Sequence, residues 1–333
     1  MLYLDSLNQS LHKILDNDKN VIIIGEDILD PYGGAFKVTK GLSTSFPNQI
    51  ISTPISEAAI VGSAVGMAMR GLKPIVEIMF GDFITLAADQ IINHASKYNW
   101  MYNEKVNVPM LIRLPVGGGR GYGPTHSQSL ESIFMSIPGI EIISPSLYHD
   151  PGKMLLSIMK NITNPIFFIE YKLDYAREIK DDNEGNFHII KDDVDKYNQN
   201  LIITLYPSEI PDITIITYGG NVSIATKAAE KLFIETEILT NVLALSSVKP
   251  IDTSWLIDKL ENSNKIIILE EGNKIGGWGA EVSAILNEAL NDLDLRIKRL
   301  GAYDNPIPSS APMEREVLPS VDRIIKMIKE IVD

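Results

Sequence analysis

Two stretches of the sequence combine side chains and settings suited to chemistry. The first is ISTPISEAAIVGSAVGMAMRG (51–71), in which Glu57 follows Ser56 at the start of a predicted helix. Helix electrostatics alone favour an acid in a first turn after a serine N-cap. The run Ile50, Ile51 just before it nevertheless reads as a short strand, which puts Glu57 at the sheet edge where open α/β folds bind ligands. The helix face Ala59, Gly62, Ser63 and Gly66 has almost no side-chain bulk, so another helix or a ligand can approach closely.

The second stretch is VGGGRGYGPTHSQS (116–129), with Gly117, Gly118, Gly119, Gly121 and Gly123 beside Arg120 and just before His126. A glycine cluster also reads as an ordinary surface loop, and a loop histidine as a hydrogen-bonded structural residue. Placed after the predicted strand 110–114, however, the loop would bring backbone amides, a guanidinium and an imidazole to one ligand-binding edge. Imidazole titrates near neutrality, which makes His126 the best acid/base candidate among the five histidines. The glycines do not form a dinucleotide fingerprint, because Tyr122 occupies the last glycine position and Pro124 follows where a helix should begin. A phosphate-binding G-x-x-x-x-G-K-S/T loop is absent.

Composition narrows the field. With 43 acidic and 30 basic side chains the net charge is −13, which argues against nucleic-acid binding. Cysteine is absent, excluding disulfides and thiolate chemistry, and the scattered histidines make a zinc site improbable. The start MLYLDSLNQSLHKILDNDKN lacks the basic and apolar regions of a signal peptide, and no apolar run reaches membrane-spanning length. The expected location is the cytoplasm.

Short apolar runs alternate with helical periodicity along the chain. Strands are predicted at 21–25, 74–78, 110–114, 140–143 and 166–169, and helices at 57–70, 84–98, 128–136 and 147–160. A polar stretch, 176–211, reads as a connector with a little β structure. The rhythm then resumes with strands at 213–217, 241–245, 265–269 and 295–300, and helices at 220–232, 252–261, 278–291 and 319–331. The expectation is α/β, with two domains (1–175 and 212–333) built on mostly parallel sheets.

The ordered motifs GED (25–27), YGGAFKVTKGL (32–42), TPISEAAIVGSAVGMAMRGLKPIVEI (53–78), DF (82–83), DQIINHASK (89–97) and THSQS (125–129) resemble the beta subunit of thiamine-diphosphate-dependent 2-oxo acid dehydrogenases. That group contains the pyruvate, branched-chain and acetoin enzymes. The resemblance extends through EEGNKIGGWGAEVSAIL (270–286) and NPIPSSAPMEREVLPSVDRI (305–324) and so covers nearly the whole chain. It implies a transketolase-like pyrimidine-binding domain followed by a transketolase C-terminal-like domain.

The resemblance also assigns roles. Glu57 would hydrogen-bond a ring nitrogen of the thiamine aminopyrimidine, starting the proton relay that activates the thiazolium carbon. Phe83 would stack on that ring, with Ile55 and Met79 as apolar neighbours. His126 would act on the substrate, and Arg120 is a carboxylate or phosphate contact by its chemistry. The diphosphate and magnesium motif, GDG with later paired asparagines, belongs to the family's alpha subunit. This chain has only GDF (81–83), so no metal ligands are expected here. The implied assembly is a heterotetramer of two alpha and two beta subunits, with a lipoyl transacylase as acyl acceptor. The stretches EYKLDYA (170–176) and GPTH (123–126) depart from the usual pattern, and GPTH resembles transketolase relatives. A stand-alone transketolase-like transferase or lyase is therefore the alternative. A scaffold that had lost its chemistry would have no reason to keep Glu57, Phe83 and His126 together. Glu271 and Asp304 read as solvated loop acids.

Overall fold

The computed structural model of the chain describes residues 1–180, 185–194, 197–261, 263–291 and 294–332. The amino-terminal half runs α1 (Tyr3–Asn17), β1 (Val21–Gly25), α2 (Leu42–Ser45), β2 (Ile50–Ser52), α3 (Glu57–Met69) and β3 (Lys73–Glu77). A 3-10 helix (Gly81–Ala87), a π-helix (Gln90–Ala95), α4 (Tyr98–Met101) and β4 (Leu111–Val116) follow. After a 3-10 turn (Glu131–Phe134) come β5 (Glu141–Ile143), α5 (Pro151–Asn161) and β6 (Ile166–Tyr171). The remainder contains β7 (His188–Asp193), β8 (Gln199–Thr204), β9 (Ile213–Tyr218), α6 (Asn221–Thr236), β10 (Thr240–Leu245) and β11 (Ser247–Lys249). It ends with α7 (Thr253–Leu260), β12 (Lys265–Asn273), α8 (Trp278–Ala289), β13 (Arg296–Ala302), α9 (Ala311–Val317) and α10 (Val321–Val332).

The first sheet is seven-stranded in the order β11-β5-β6-β4-β3-β1-β2. Every pairing in it is parallel except that of β11, which comes from the second half of the chain and lies antiparallel to β5. Register explains why its strands are apolar throughout. Ile23, Ile75, Leu111 and Ile166 line up across β1, β3, β4 and β6 and pack on one face, whereas the next row, Ile24, Val76, Ile112 and Phe167, packs on the other. A sheet covered on both faces needs such continuous β-branched runs. The second sheet, β13-β12-β9-β10-β8-β7, is parallel from β13 to β10, and β8 and β7 add antiparallel strands. Two strands of the expected connector thus lengthen this sheet. The two halves share a core in which Tyr171 and Ile112 of the first belong to one cluster with Tyr218 and Trp278 of the second.

Three predicted helices differ from expectation. The 84–98 helix is broken into 3-10, π and α turns; Thr85 donates to the Asp82 carbonyl and Ser96 to the Ile92 carbonyl, which compete with a regular ladder. Only Glu131–Phe134 of the 128–136 helix forms, because Gln128 and Ser129 are bonded elsewhere, to Asp82 and Glu271. The 147–160 helix starts at Pro151, where Asp150 caps the Lys153 amide and proline takes the first position.

Candidate active site at the edge of the first sheet

The strand order β4-β3-β1-β2 sets four loop positions side by side at the carboxyl edge. The loop with His126 leaves β4, Phe83 follows β3, Glu26 follows β1 and Glu57 follows β2. Three interstrand steps span about 14 Å, enough to accept a heterocyclic ligand.

Glu57 opens α3 and is 5% exposed. No hydrogen bond reaches its carboxylate from the described residues. Beside it lies Glu26, also buried, whose Oε2 has no hydrogen-bond partner. Burial pushes the Glu26 carboxyl up, and the charges of Glu57, Asp27 and Glu77 add to the effect. Glu26 and Glu57 are neighbouring carboxyls, and the buried Glu26 oxygen without a partner is costly unless something supplies a donor. They fit the pyrimidine end of thiamine, which offers an N–H donor or a protonatable ring nitrogen. The Gly81–Ala87 turn packs against α3, bringing the segment with Phe83 next to the helix with Glu57.

Phe83 and His126 meet directly. Their ring centroids are 5.1 Å apart and nearly perpendicular, and Phe80 sits 4.7 Å from the imidazole and 6.1 Å from Phe83. His126 Nδ1 is 2.9 Å from the Thr125 hydroxyl, and its carbonyl accepts from Lys172 Nζ at 2.9 Å. Lys172 is buried after β6, and burial pulls its ammonium down to about 8 in spite of Asp82 and Glu271 nearby. His149, by contrast, is buried between Ser146 and the Gln199 carbonyl, and burial pulls it down to about 4, which marks a structural histidine.

The other candidates take more peripheral places. Arg120 is exposed, donates to the Lys172 carbonyl at 3.3 Å and lies over the Phe36 and Tyr122 rings at 5.7 and 5.4 Å. Met79 is half-buried, whereas Ile55 is 79% exposed. Glu271 corrects an expectation: it is no solvated loop acid, because β12 runs through it and it accepts from the Gly118 amide at 2.9 Å and the Ser129 hydroxyl at 3.1 Å. Burial pushes its carboxyl up to about 7. Asp304 is exposed, as expected. Sequence reasoning gave no role to Glu26, Phe80 or Lys172. For Glu26 a signal existed, since it follows β1 as Glu57 follows β2.

Comparison with known proteins finds similarity along nearly the whole chain. The family described as "Transketolase, pyrimidine binding domain" matches residues 1–177, and "Transketolase, C-terminal domain" matches 204–324. The chain is 35% identical to 2-oxoisovalerate dehydrogenase subunit beta of Bacillus subtilis, covering 100% of this chain and 99% of the relative. It is 33% identical to the beta subunit of acetoin:2,6-dichlorophenolindophenol oxidoreductase of the same organism, over 98% of this chain and 96% of the relative. Identity to the pyruvate dehydrogenase E1 component subunit beta of Rickettsia conorii is 31%, over 98% and 97%. Among solved structures, "Split gene transketolase, inactive beta4 tetramer" shares the fold, with a TM-score of 0.74 at 16% identity, covering 100% of this chain and 98% of that one.

Proposed function

Because the chain belongs to the transketolase-like family that contains the beta subunits of thiamine-dependent 2-oxo acid dehydrogenases, we propose that it is the beta half of such an oxidoreductase. Its partner is an alpha subunit, and the assembly decarboxylates a 2-oxo acid and passes the acyl group to a lipoyl carrier. The observation that carries this reading is the buried Glu57 carboxylate at the carboxyl edge, without a hydrogen bond among the described residues and next to an orphaned Glu26 oxygen.

Thiamine diphosphate, when bound, supplies the carbon nucleophile and the electron sink for decarboxylation. The chain's own residues do the rest. Glu57 holds a proton at the pyrimidine nitrogen, Phe83 offers its ring face to the heterocycle, and Ile55 and Met79 flank it. His126, braced by Phe80 and Phe83, moves a proton at the substrate. Arg120, the one exposed cation of the glycine loop, meets the substrate carboxylate.

Magnesium and the diphosphate fall to the alpha subunit in this proposal. Asp82 of the GDF segment accepts from the Gln128 amide and side chain through Oδ1 at 3.0 and 2.9 Å, and its buried Oδ2 has no hydrogen-bond partner. Among the described residues no three His, Asp or Glu side chains converge on a metal position. The surface supports an obligate partner. Ile55, Leu86, Trp100 (82%) and Met101 are exposed, and so is the small-residue face Ala59, Ser63, Gly66 of α3. Exposed large apolar side chains together with a bare helix face suit a tight subunit contact. The assembly we propose is two alpha and two beta subunits, the betas also meeting each other. No described helix is long and apolar enough to cross a membrane, and the compartment we propose is the cytoplasm.

The test is co-expression with an alpha-type partner, followed by assay of 2-oxo acids with an artificial electron acceptor and with a lipoyl domain. Activity should require both chains, and Glu57→Gln should lower turnover by about 10²–10⁴-fold while the fold is retained. Near-wild-type turnover of Glu57→Gln, or activity of this chain alone, would overturn the reading.

A further inference from the structure

The loop that carries His126 is held by the other half of the chain. Glu314, on α9 and 1% exposed, accepts from the Gly119 amide at 2.7 Å with one oxygen and from the Gly121 amide at 3.0 Å with the other. These partners are 195 and 193 residues away. Glu271 on β12 holds the Gly118 amide and the Ser129 hydroxyl. From the first half, Asp82 holds Gln128 and Lys172 holds the His126 carbonyl. Residues 118–129 are therefore pinned on both sides of the imidazole.

Such pinning answers a specific weakness. Five glycines in seven residues give this segment more backbone freedom than an ordinary loop has. Gly119 and Gly121 both have left-handed φ angles, +86° and +71°, and these turn their amides toward one carboxylate. At Gly118 a Cβ would lie 2.5 Å from Leu318 Cδ1, so the loop is also packed tightly against the end of α9. Charge-assisted bonds from two amides to one carboxylate are strong and directional.

We infer that Glu314 is a positioning residue for the reaction: by clamping the glycine loop it places His126, and it makes the carboxyl-terminal half part of the active-site machinery. This rests on the assignment of His126 to the active site. Gln at 314 keeps the size but offers one acceptor and one donor, so one of the two glycine amides would face an N–H instead of an oxygen.

The experiment is a double-mutant cycle in the assembled alpha–beta enzyme, comparing wild type, Glu314→Gln, His126→Ala and the double variant. Glu314→Gln should lower kcat about tenfold with the KM for the 2-oxo acid unchanged, as expected when a reacting group is displaced slightly. In the His126→Ala background the same substitution should have no effect, because the group it positions is gone. An equal loss in both backgrounds, or no loss in the first, overturns the clamp. If His126→Ala itself turns over at the wild-type rate, the assignment of His126 fails instead, which separates the two ideas. A second measurement does not depend on activity or on a variant that folds: in the wild-type complex, amide hydrogen exchange of a peptide covering 117–123 should be slow. Exchange at the rate of an unprotected loop would also overturn the clamp.

Discussion

Replacing Arg113 with methionine tests the physics beneath the site. Arg113 lies on β4 between β3 and β6, fully buried, and its guanidinium donates to Glu170 through Nε and Nη2, both at 2.7 Å, and to Glu77 through Nη1. Register places Glu77 directly across from Arg113, so all three charges sit on one face of the sheet. Two carboxylates thus depend on one cation. Without it Glu170 would keep only the Tyr175 hydroxyl at 2.6 Å, and Glu77 would keep no partner among the described residues. Breaking one buried pair costs about 3–5 kcal/mol, and stranding two acids places this case near the upper end. For a domain of this size about 5 kcal/mol corresponds to a fall in melting temperature of about 10–20 °C.

Urea unfolding of wild type and Arg113→Met, followed by circular dichroism, measures the difference. The deficit should shrink at acid pH. Burial already pushes Glu77 up despite Arg113, and without Arg113 it would sit higher still. Stability limited by such raised carboxyls is present below their unfolded-state pKa and lost as pH rises. Replacing all three residues with methionine should recover most of the loss, since an apolar patch has no charge to desolvate. A single variant within about 1 kcal/mol of wild type, or a triple variant no better than the single, would refute the account.

Two further outcomes follow from the surface and from pH. Trp100→Glu should abolish co-purification with the alpha-type partner while leaving the melting temperature of this chain unchanged, because Trp100 is exposed in it; undiminished co-purification would remove α4 from the interface. Burial, with Glu131 nearby, pushes Glu270 up to about 7 against the pull of the Gly279 and Trp278 amides. Its contribution to stability is present below pH 4.5, the ordinary value, and is lost as pH rises through 7. Glu270→Gln, which keeps an acceptor for the Gly279 amide, should therefore melt higher than wild type at pH 8.5 and match it only below pH 4.5. Parallel pH curves for the two proteins would contradict the burial argument.

What could be read from the sequence depended on how local the cause was. VIIIG announces β1, because only a strand covered on both faces needs such a run, and Glu57 was readable because a strand, a serine and a small-residue helix surround it within a few positions. Arg113 and Glu77 were not readable, since a charge within an apolar strand is satisfied only by partners on neighbouring strands. Nor was the place of Glu271 and Glu314, whose partners lie 142 to 195 residues away. The three-residue β11 has no periodicity to detect, and its existence depends on the exposed edge of β5. The broken helix after Phe83 turns on side chains bonding backbone carbonyls, which hydrophobic spacing does not register.

The placement of β11 also has a consequence for how the molecule is made. The first sheet closes its β5 edge with residues that leave the ribosome 76 positions after Tyr171, where β6 ends. At about 5–20 residues per second, that interval lasts about 4–15 s. Throughout it the nascent first sheet presents unpaired backbone groups at the short strand Glu141–Ile143, a template for wrong partners. A chain cut between the halves would carry that open edge permanently, so the two halves are one unit of biosynthesis, and slow translation between residues 171 and 247 prolongs the molecule's most vulnerable moment.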